Sequence, residues 1–344
     1  SHPMPVGLSL SPQHRVYAGF AVYSFAMGNI FPRLPDIKEA MGIGEGALGL
    51  GLIGVPAGTL ISLSFAAPLL ERVGFGRALR ALIPLIALLY AVAVHAQGPL
   101  ALFLMLVPVG LAIGCAEIII NVEADRTEAL IGRRIMNRAH SFWSIGFFGA
   151  GLFGAAVAQL GLSPQWHLAL VVPMVLAGVA VFLGGYVPAP ARPAENGDAA
   201  PRFARPTAAI MVLVAVTLSA MLMEGASLDW SAIYMRSVFE AGPFLSGFAV
   251  AAFAFSQAAA RFFADGFVER HSPSGVARAM LCTMAAGLVM VFFAPVPGAA
   301  LLGFALIAIG TSVIFPLAMS AAAQRTDRAA AVNVAALAQI SFVA

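Results

Sequence analysis

The sequence predicts an all-helical (all-α) membrane protein built from two bundles of membrane-spanning helices. Of its 344 residues, 60% are hydrophobic and only 10% are charged, and the mean hydropathy is +0.92. Soluble domains carry about 25% charged residues. Apolar runs long enough to cross a bilayer recur along the whole chain, and short motifs repeat at a nearly constant offset. Most of the chain is therefore expected to lie in lipid.

Ten apolar runs of about 20 residues or more are predicted to be spans. They cover 15–36, 45–70, 77–96, 99–126, 137–160, 166–187, 207–236, 243–268, 275–295 and 298–322. An eleventh begins near residue 330. The first residues, Ser1-His2-Pro3-Met4, resemble the remnant of a cleaved tag before a native start methionine and are excluded, so the first bundle is taken to begin at residue 5.

A segment rich in Pro, Ala and charge divides the spans into six before it and the remainder after it. This division predicts an N-terminal six-helix bundle over 5–187, a cytoplasmic linker over 188–206 and an incomplete C-terminal bundle over 207–344. Glu71-Arg72 recurs as Glu269-Arg270 at an offset of 198, and Arg126-Thr127-Glu128 recurs as Arg325-Thr326-Asp327 at an offset of 199. Such a parallel repeat is typical of transporters with two homologous halves, so we expect a truncated twelve-span chain.

Basic residues are concentrated in alternate loops, which places those loops and the N-terminus on the cytoplasmic side by the positive-inside rule. The basic clusters are too short and scattered to form a nucleic-acid-binding face. We therefore expect a multi-pass protein of the inner membrane that contacts the lipid bilayer. A small solute and protons are its other expected partners, and we expect a monomer without a cofactor. Neither a metal-ligand pair such as H-E-x-x-H nor a nucleophile arrangement is present, so an enzyme is not expected.

The loop between the second and third spans, Ala67 to Arg77, combines an acidic-basic pair with glycines and further arginines. It resembles the G-x-x-x-D-R-x-G-R-R loop of the major facilitator superfamily and implies the major facilitator fold. In that fold such charges act as a latch that pairs in one access state and releases in the other; charges that only set topology or are solvated are the alternative. The expected gating residues are Glu71, Arg72, Arg77, Glu123, Asp125, Arg126, Asp265, Glu269 and Arg270.

In that architecture the first, fourth, seventh and tenth spans line the central cavity, and most of the polar residues within the membrane fall on them. Glu117 and Asn121 share one face of span four because they are four residues apart. A charged carboxylate at the membrane centre costs about 2.5 to 3.5 kcal/mol by insertion scales. Glu117 and Glu224 are thus the candidate proton-coupling residues. The candidate substrate-binding residues are Asn29, Glu117, Asn121, His140, Trp143, Glu224, Asp229, Trp230, Thr311 and Ser312.

Structural roles are the alternatives for these residues: an interhelical hydrogen bond for the two glutamates, an interfacial anchor for Asp229 with Trp230, and packing for His140. Gly114 to Asn121, followed by Met136 to Phe142, resembles spans four and five of the fucose permeases, which are fucose-galactose-gluconate proton symporters. The resemblance implies that Glu117 matches the sugar-binding and proton-coupling glutamate of that family. It places the family's polar span-five residues at His140 and Trp143, and its span-one aspartate near Phe31. The chain as a whole resembles bacterial inner-membrane permeases of the same branch.

These observations predict a secondary active transporter that moves a small polar, sugar-like solute by alternating access, with proton symport. The alternative is a drug or metabolite exporter that runs proton antiport, for which the many Phe, Met and Trp residues would supply an apolar cavity. Against the exporter, Gly146 to Gly151 in span five lacks the proline that drug antiporters carry there.

Overall fold

The computed structural model describes residues 8–191, 205–323, 325–328, 333 and 336–337, and in this part of the chain every regular element is helical. The α-helices are α1 (Pro12–Gly28), α2 (Leu34–Met41), α3 (Glu45–Leu52), α4 (Gly54–Phe65), α5 (Ala67–Val73), α6 (Phe75–Ala93), α7 (Pro99–Ile131), α8 (Met136–Gln159), α9 (Pro164–Leu183), α10 (Ala208–Phe239), α11 (Pro243–Arg270), α12 (Pro273–Phe293), α13 (Pro297–Thr311) and α14 (Ile314–Ala323). A 3₁₀ turn, Phe31–Arg33, joins α1 to α2.

Nine helical segments of the described chain are long and apolar enough to cross a membrane. Together with the all-helical architecture, they confirm the predicted fold class. Most helices begin and end within a few residues of the predicted spans, because the apolar runs end in polar, proline or glycine residues. α7 differs, since it continues to Ile131 and ends at Gly132, whose φ of 68° is the left-handed value that glycine adopts readily.

Three of the predicted spans are interrupted where a continuous helix was expected. The first span breaks after Gly28, and the second divides into α3, α4 and α5. The third interruption separates α13 from α14 at residues 312–313. Pro32, Pro56, Pro68 and Pro316 lie beside these breaks; a proline lacks the backbone N–H and clashes with the preceding turn, so it ends or kinks a helix.

Glycines allow two pairs of helices in the N-terminal part to approach until their backbones touch. A Cβ on Gly58 would overlap the carbonyl oxygen of Val107, and a Cβ on Gly110 would overlap that of Val55. Only glycine therefore fits at these two positions, where α4 and α7 pack backbone to backbone. On α8, Gly146 lies against the backbone of Ala21 and Gly154 lies against Pro32; small residues allow such close helix packing. The close approach of α1, α4, α7 and α8 brings the polar side chains of α1 and α7 within hydrogen-bond distance.

The chain divides into two compact units, one of Ser1–Arg192 with Ala232–Ala254 and one of Pro193–Ser231 with Phe255–Ala344. The predicted division at a 188–206 linker stays a prediction, because residues 192–204 lie outside the described chain. The same applies to most of the predicted eleventh span.

Candidate functional site

In the first unit, Tyr23 and Asn121 each donate a hydrogen bond to Glu117, one to each carboxylate oxygen. The hydroxyl of Tyr23 on α1 donates to Oε2 at 2.7 Å, and Nδ2 of Asn121 donates to Oε1 at 3.1 Å. Tyr23 is fully buried, whereas Glu117 and Asn121 are half-buried. Because both donors direct an N–H or O–H at the carboxylate, the arrangement stabilises its ionised form.

Each donor of this cluster has a second acceptor nearby. The hydroxyl of Tyr23 lies 3.4 Å from the carbonyl oxygen of Ile113, and the amide of Asn121 also donates to the carbonyl oxygen of Glu117 at 2.9 Å. The Tyr23 hydroxyl therefore has a second possible acceptor within the buried contact between α1 and α7.

Glu224 is the centre of a separate cluster in the second unit. Nε2 of Gln257 on α11 donates to Oε1 of Glu224 at 3.0 Å. Arg261, one helical turn beyond Gln257, donates through Nε to the carbonyl oxygen of Ser312 at 3.2 Å and interacts with the charge of Glu224. The acceptor carbonyl belongs to the interruption between α13 and α14, so the broken helix supplies a backbone group that a regular helix would not.

Sequence reasoning did not single out Tyr23, Gln257 and Arg261. Arg261 could have been found, because an arginine inside a predicted span has to be paired and is a functional candidate by itself. Tyr23 and Gln257 carried no comparable signal, since their importance depends on which helices face each other.

Asn29 does not join the Glu117 cluster. It is 1% exposed; its Nδ2 donates to the carbonyl oxygen of Phe25 at 2.7 Å, and its Oδ1 lies 2.9 Å from Nε2 of His167. The imidazole of His167 in turn faces Arg33 at 3.3 Å. Asn29 is therefore part of a buried polar network at the α2 end of α1.

The two predicted span-five residues contact aromatic rings. The imidazole of His140 lies 5.2 Å from the ring of Phe20, and the indole of Trp143 lies 5.1 Å from the ring of Phe147, between centroids. Phe147 also packs against Phe31 at 5.2 Å. Aromatic packing thus positions both residues on α8, while His140 has further interactions of its own.

The remaining candidates in the second unit are local to their helices. Thr311 and Ser312 direct their hydroxyls back to the carbonyl oxygens of Ala308 and Ile309, at 3.2 and 2.6 Å. Asp229 and Trp230 are half-buried on α10, and Asp229 has no hydrogen bond or ion pair with the described residues. Both hydroxyls therefore bond within their own helical segment.

The predicted gating charges fall into contacting and exposed groups. Oε2 of Glu123 accepts from the backbone N–H of Ala189 at 3.1 Å, and the guanidinium of Arg126 lies 5.0 Å from the centre of the Phe75 ring at the start of α6. Glu123 also lines a pocket of about 350 Å³ between α1, α7 and residues 185–190. Glu71, Arg72, Arg77, Glu269 and Arg270 are exposed, Asp125 is half-buried, and the side chain of Asp265 lies outside the described residues.

The repeated motif after span ten forms a local cluster. Asp327 accepts from Nδ2 of Asn333 at 3.2 Å and pairs with Arg325 at 3.3 Å. The Asn333 amide and the Arg325 guanidinium hold the pKa of the exposed Asp327 carboxyl below its usual value. Within the described chain, no group of three or more His, Cys, Asp or Glu residues is placed to hold a metal ion.

Comparison with known proteins agrees with this architecture. Residues 16–344 match the Major Facilitator Superfamily. An uncharacterised transporter, y4wD of Sinorhizobium fredii, is 26% identical over 322 residues, which cover 91% of this chain and 83% of the relative.

Two solved structures show the same fold at low identity. The D-xylose-proton symporter is 13% identical with a TM-score of 0.67, covering 96% of this chain and 87% of its own. A single-residue variant of the E. coli fucose:proton symporter is 17% identical with a TM-score of 0.59, covering 96% and 88%. Membrane spans, fold and family match agree: the chain is a multi-pass membrane transporter, not an enzyme, and it belongs to the Major Facilitator Superfamily.

Proposed function

We propose that this protein is a proton-coupled symporter of a small polar, sugar-like solute, and that Glu117 carries the coupled proton. The observation that carries the proposal is the Glu117 carboxylate, which accepts one hydrogen bond from Tyr23 and one from Asn121 inside the longest apolar helix of the first unit. A charged carboxylate is costly within a membrane and is retained where it is used.

The two states of the cluster suggest how coupling works. In the ionised state Glu117 is held by Tyr23 and Asn121; in the protonated state Tyr23 turns to Ile113 and the carboxyl gains an O–H donor. A hydroxylated solute offers both donors and acceptors, so it can replace Asn121 or pair with the protonated carboxyl. Solute binding and proton binding then favour the same state, which is the requirement for symport.

The Glu224–Gln257–Arg261 cluster is the proposed counterpart in the second unit. Gln257 and Arg261 keep the charge of Glu224 compensated, and their N–H groups are of the type that binds solute hydroxyls. Asp229, Trp230, Thr311 and Ser312 on the predicted cavity-lining spans, and Asn29, His140 and Trp143 in the first unit, remain candidates for solute contacts. We further propose that the protein acts as a monomer in the bacterial inner membrane, with a cytoplasmic N-terminus and with the charges of the predicted gating set at the cytoplasmic face.

The test is proton flux driven by solute in proteoliposomes that enclose a pH-sensitive dye. Monosaccharides, polyols and nucleosides are added singly, and a symporter acidifies the lumen together with the arriving solute. Glu117→Gln should abolish this flux, while Glu240→Gln, at an exposed loop position, should not change it. Retained solute counterflow in the Glu117→Gln protein would assign coupling alone to the residue, whereas loss of both activities would add solute binding.

An exporter that exchanges its substrate for protons remains the second candidate. It predicts the opposite sign of the dye response, with protons leaving as the substrate enters. A panel of solutes without any proton movement in the wild-type protein would contradict both forms of coupling.

A further inference from the structure

The end of α7 lines a pocket of about 350 Å³ that is separate from the Glu117 cluster and to which the proposed function assigns no ligand. Its walls come from the start of α1, from α7 and from residues 185–190, which follow α9, so the pocket lies within the first unit. Small-molecule sites typically enclose about 300 to 1,000 Å³. This pocket is therefore large enough for a small metabolite.

Three polar side chains reach the pocket with a buried atom that has no hydrogen-bond partner. These atoms are Nη1 of Arg15, Oε1 of Glu123 and the hydroxyl oxygen of Tyr186. Among the residues that the structure describes, six buried side-chain atoms lack a partner, so half of them line this one pocket. Buried polar groups are paired in the large majority of cases, and an unpaired one calls for a specific explanation. Their concentration around one cavity points to a binding site.

Glu123 is the least exposed of the three residues and is held from one side. It is 2% exposed, and its Oε2 accepts from the backbone N–H of Ala189 at 3.1 Å. Tyr186, which is 7% exposed, lies beside the same carboxylate. A carboxylate oxygen has two lone pairs, so Oε1 can accept from a ligand even when the Tyr186 hydroxyl turns towards it. The carboxylate is thus fixed in position with one oxygen free for a donor.

Arg15 brings the opposite charge to the same pocket. Gly185 leaves room for its guanidinium, because a Cβ at Gly185 would come within 3.2 Å of Nη1. Within the described chain, neither Arg15 nor Glu123 forms an ion pair, and they are not within ion-pair distance of each other. The pocket therefore presents a cationic donor and an anionic acceptor that do not compensate each other directly.

This combination of charges determines which ligands fit. An amine or a metal ion alone would leave Arg15 unpaired, and a simple anion would meet the buried carboxylate of Glu123. A zwitterion satisfies both residues, because its ammonium donates to Glu123 and its anionic group accepts from Arg15 in charge-assisted hydrogen bonds. Leucine, valine and proline side chains form much of the remaining wall, which suits an apolar body beside the charges.

We propose that this pocket binds a small zwitterion that carries a primary ammonium and an anionic group. A free aliphatic amino acid and the headgroup of an ethanolamine phospholipid share this chemistry. Either ligand would join the start of α1 to the end of α7 through Arg15 and Glu123. Binding should therefore stabilise the folded protein and raise its unfolding temperature.

The test is calorimetric titration of the purified whole chain with leucine and, separately, with glycerophosphoethanolamine, the soluble headgroup of the lipid. At least one of them should bind saturably at a single site, and the one that binds identifies the source. Isopentylamine and isocaproate lack the carboxylate and the ammonium of leucine, and glycerophosphocholine has no N–H donor on its cation. Each should bind about tenfold or more weakly than its parent, because each loses a hydrogen bond to a charged group.

Variants locate the binding in this pocket. Glu123→Gln and Arg15→Gln should each weaken it by about tenfold or more, for the same reason. Gly185→Leu retains both charges but places a side chain against Arg15, so it should weaken binding as well. Glu240→Gln and Arg278→Gln, at exposed positions outside the pocket, should bind as the wild-type protein does.

Two controls keep the result decisive. Glu117→Gln should retain zwitterion binding, so failure of the proposed proton coupling and failure of this site are distinguishable. Thermal unfolding without ligand identifies the variants that remain folded, and only these are compared. Absence of saturable binding by both zwitterions, equal binding by the analogues, or wild-type affinity in folded Glu123→Gln or Arg15→Gln protein would overturn the proposal.

Discussion

Replacing Tyr23 with phenylalanine removes one oxygen from the centre of the proposed coupling site. The hydroxyl is fully buried and donates to Oε2 of Glu117 at 2.7 Å, whereas its contact with the Ile113 carbonyl is longer, at 3.4 Å. A hydrogen bond to a charged group contributes about 1.5 to 3 kcal/mol. Its loss destabilises the state with an ionised Glu117, and hence the step in which the proton leaves.

At about 1.4 kcal/mol per factor of ten, this cost corresponds to a decrease of roughly 10-fold to 100-fold in proton-coupled uptake. Solute counterflow needs no net release of the proton, so it should change little. Both rates are measured in the same proteoliposomes. Tyr17→Phe is the matched control, because Tyr17 lies on the same helix and its ring stacks on Phe142 at 4.9 Å, away from Glu117. Equal losses of uptake and counterflow, or unchanged uptake, would refute the role of Tyr23.

Three other changes test the surrounding architecture. Gly110→Leu should lower the stability of the protein by about 1 to 3 kcal/mol, because its side chain meets the backbone of Val55; thermal unfolding beside Gly225→Ala, where space is open, measures the difference. Arg261→Gln should reduce solute uptake, because Glu224 then keeps its hydrogen bond from Gln257 but loses the nearby positive charge. Recovery of uptake in an Arg261→Lys protein would assign the effect to the charge. The pKa of Asp327 is lowered, so its contribution to the free energy of unfolding is present at neutral pH and is lost as the pH falls below about 4. Asp327→Asn should remove this part of the pH dependence when the free energy of unfolding is measured between neutral and acid pH. The same pH dependence in both proteins would contradict the prediction.

The fold could be predicted from the sequence because lipid imposes a simple rule on helix length and composition. Nine of the ten full spans predicted from apolar runs match helical segments of the described chain that are long enough to cross a membrane; the exception is the first, which breaks after Gly28. The family confirms the predicted transporter class. Helix interruptions were less predictable. Prolines mark where a break can occur, but whether a helix kinks or ends depends on which neighbouring groups take up the freed carbonyl, such as Arg261 at Ser312.

The candidate site was predictable in part. Glu117 with Asn121 could be identified because both lie on one helix, where spacing determines the shared face. Tyr23 could not, because it is 94 residues away and only the packing of α1 against α7 brings it there. Asn29 was predicted as a solute ligand from its polarity alone; the structure satisfies its side chain within the His167 network, which sequence spacing does not reveal.

The length of α7 has a mechanical consequence. Its 33 residues correspond to about 50 Å, whereas the hydrocarbon core is about 30 Å thick. From Glu117 to Ile131 the helix contains neither proline nor glycine, and this stretch carries Glu123 and Arg126. A rotation of this rigid segment at Glu117 must therefore appear also at its far end, where Arg126 rests on Phe75 and Glu123 binds Ala189. Under the coupling proposed for Glu117, this unbroken helix would carry a movement at Glu117 to the loop at its end, because neither proline nor glycine provides a hinge between them.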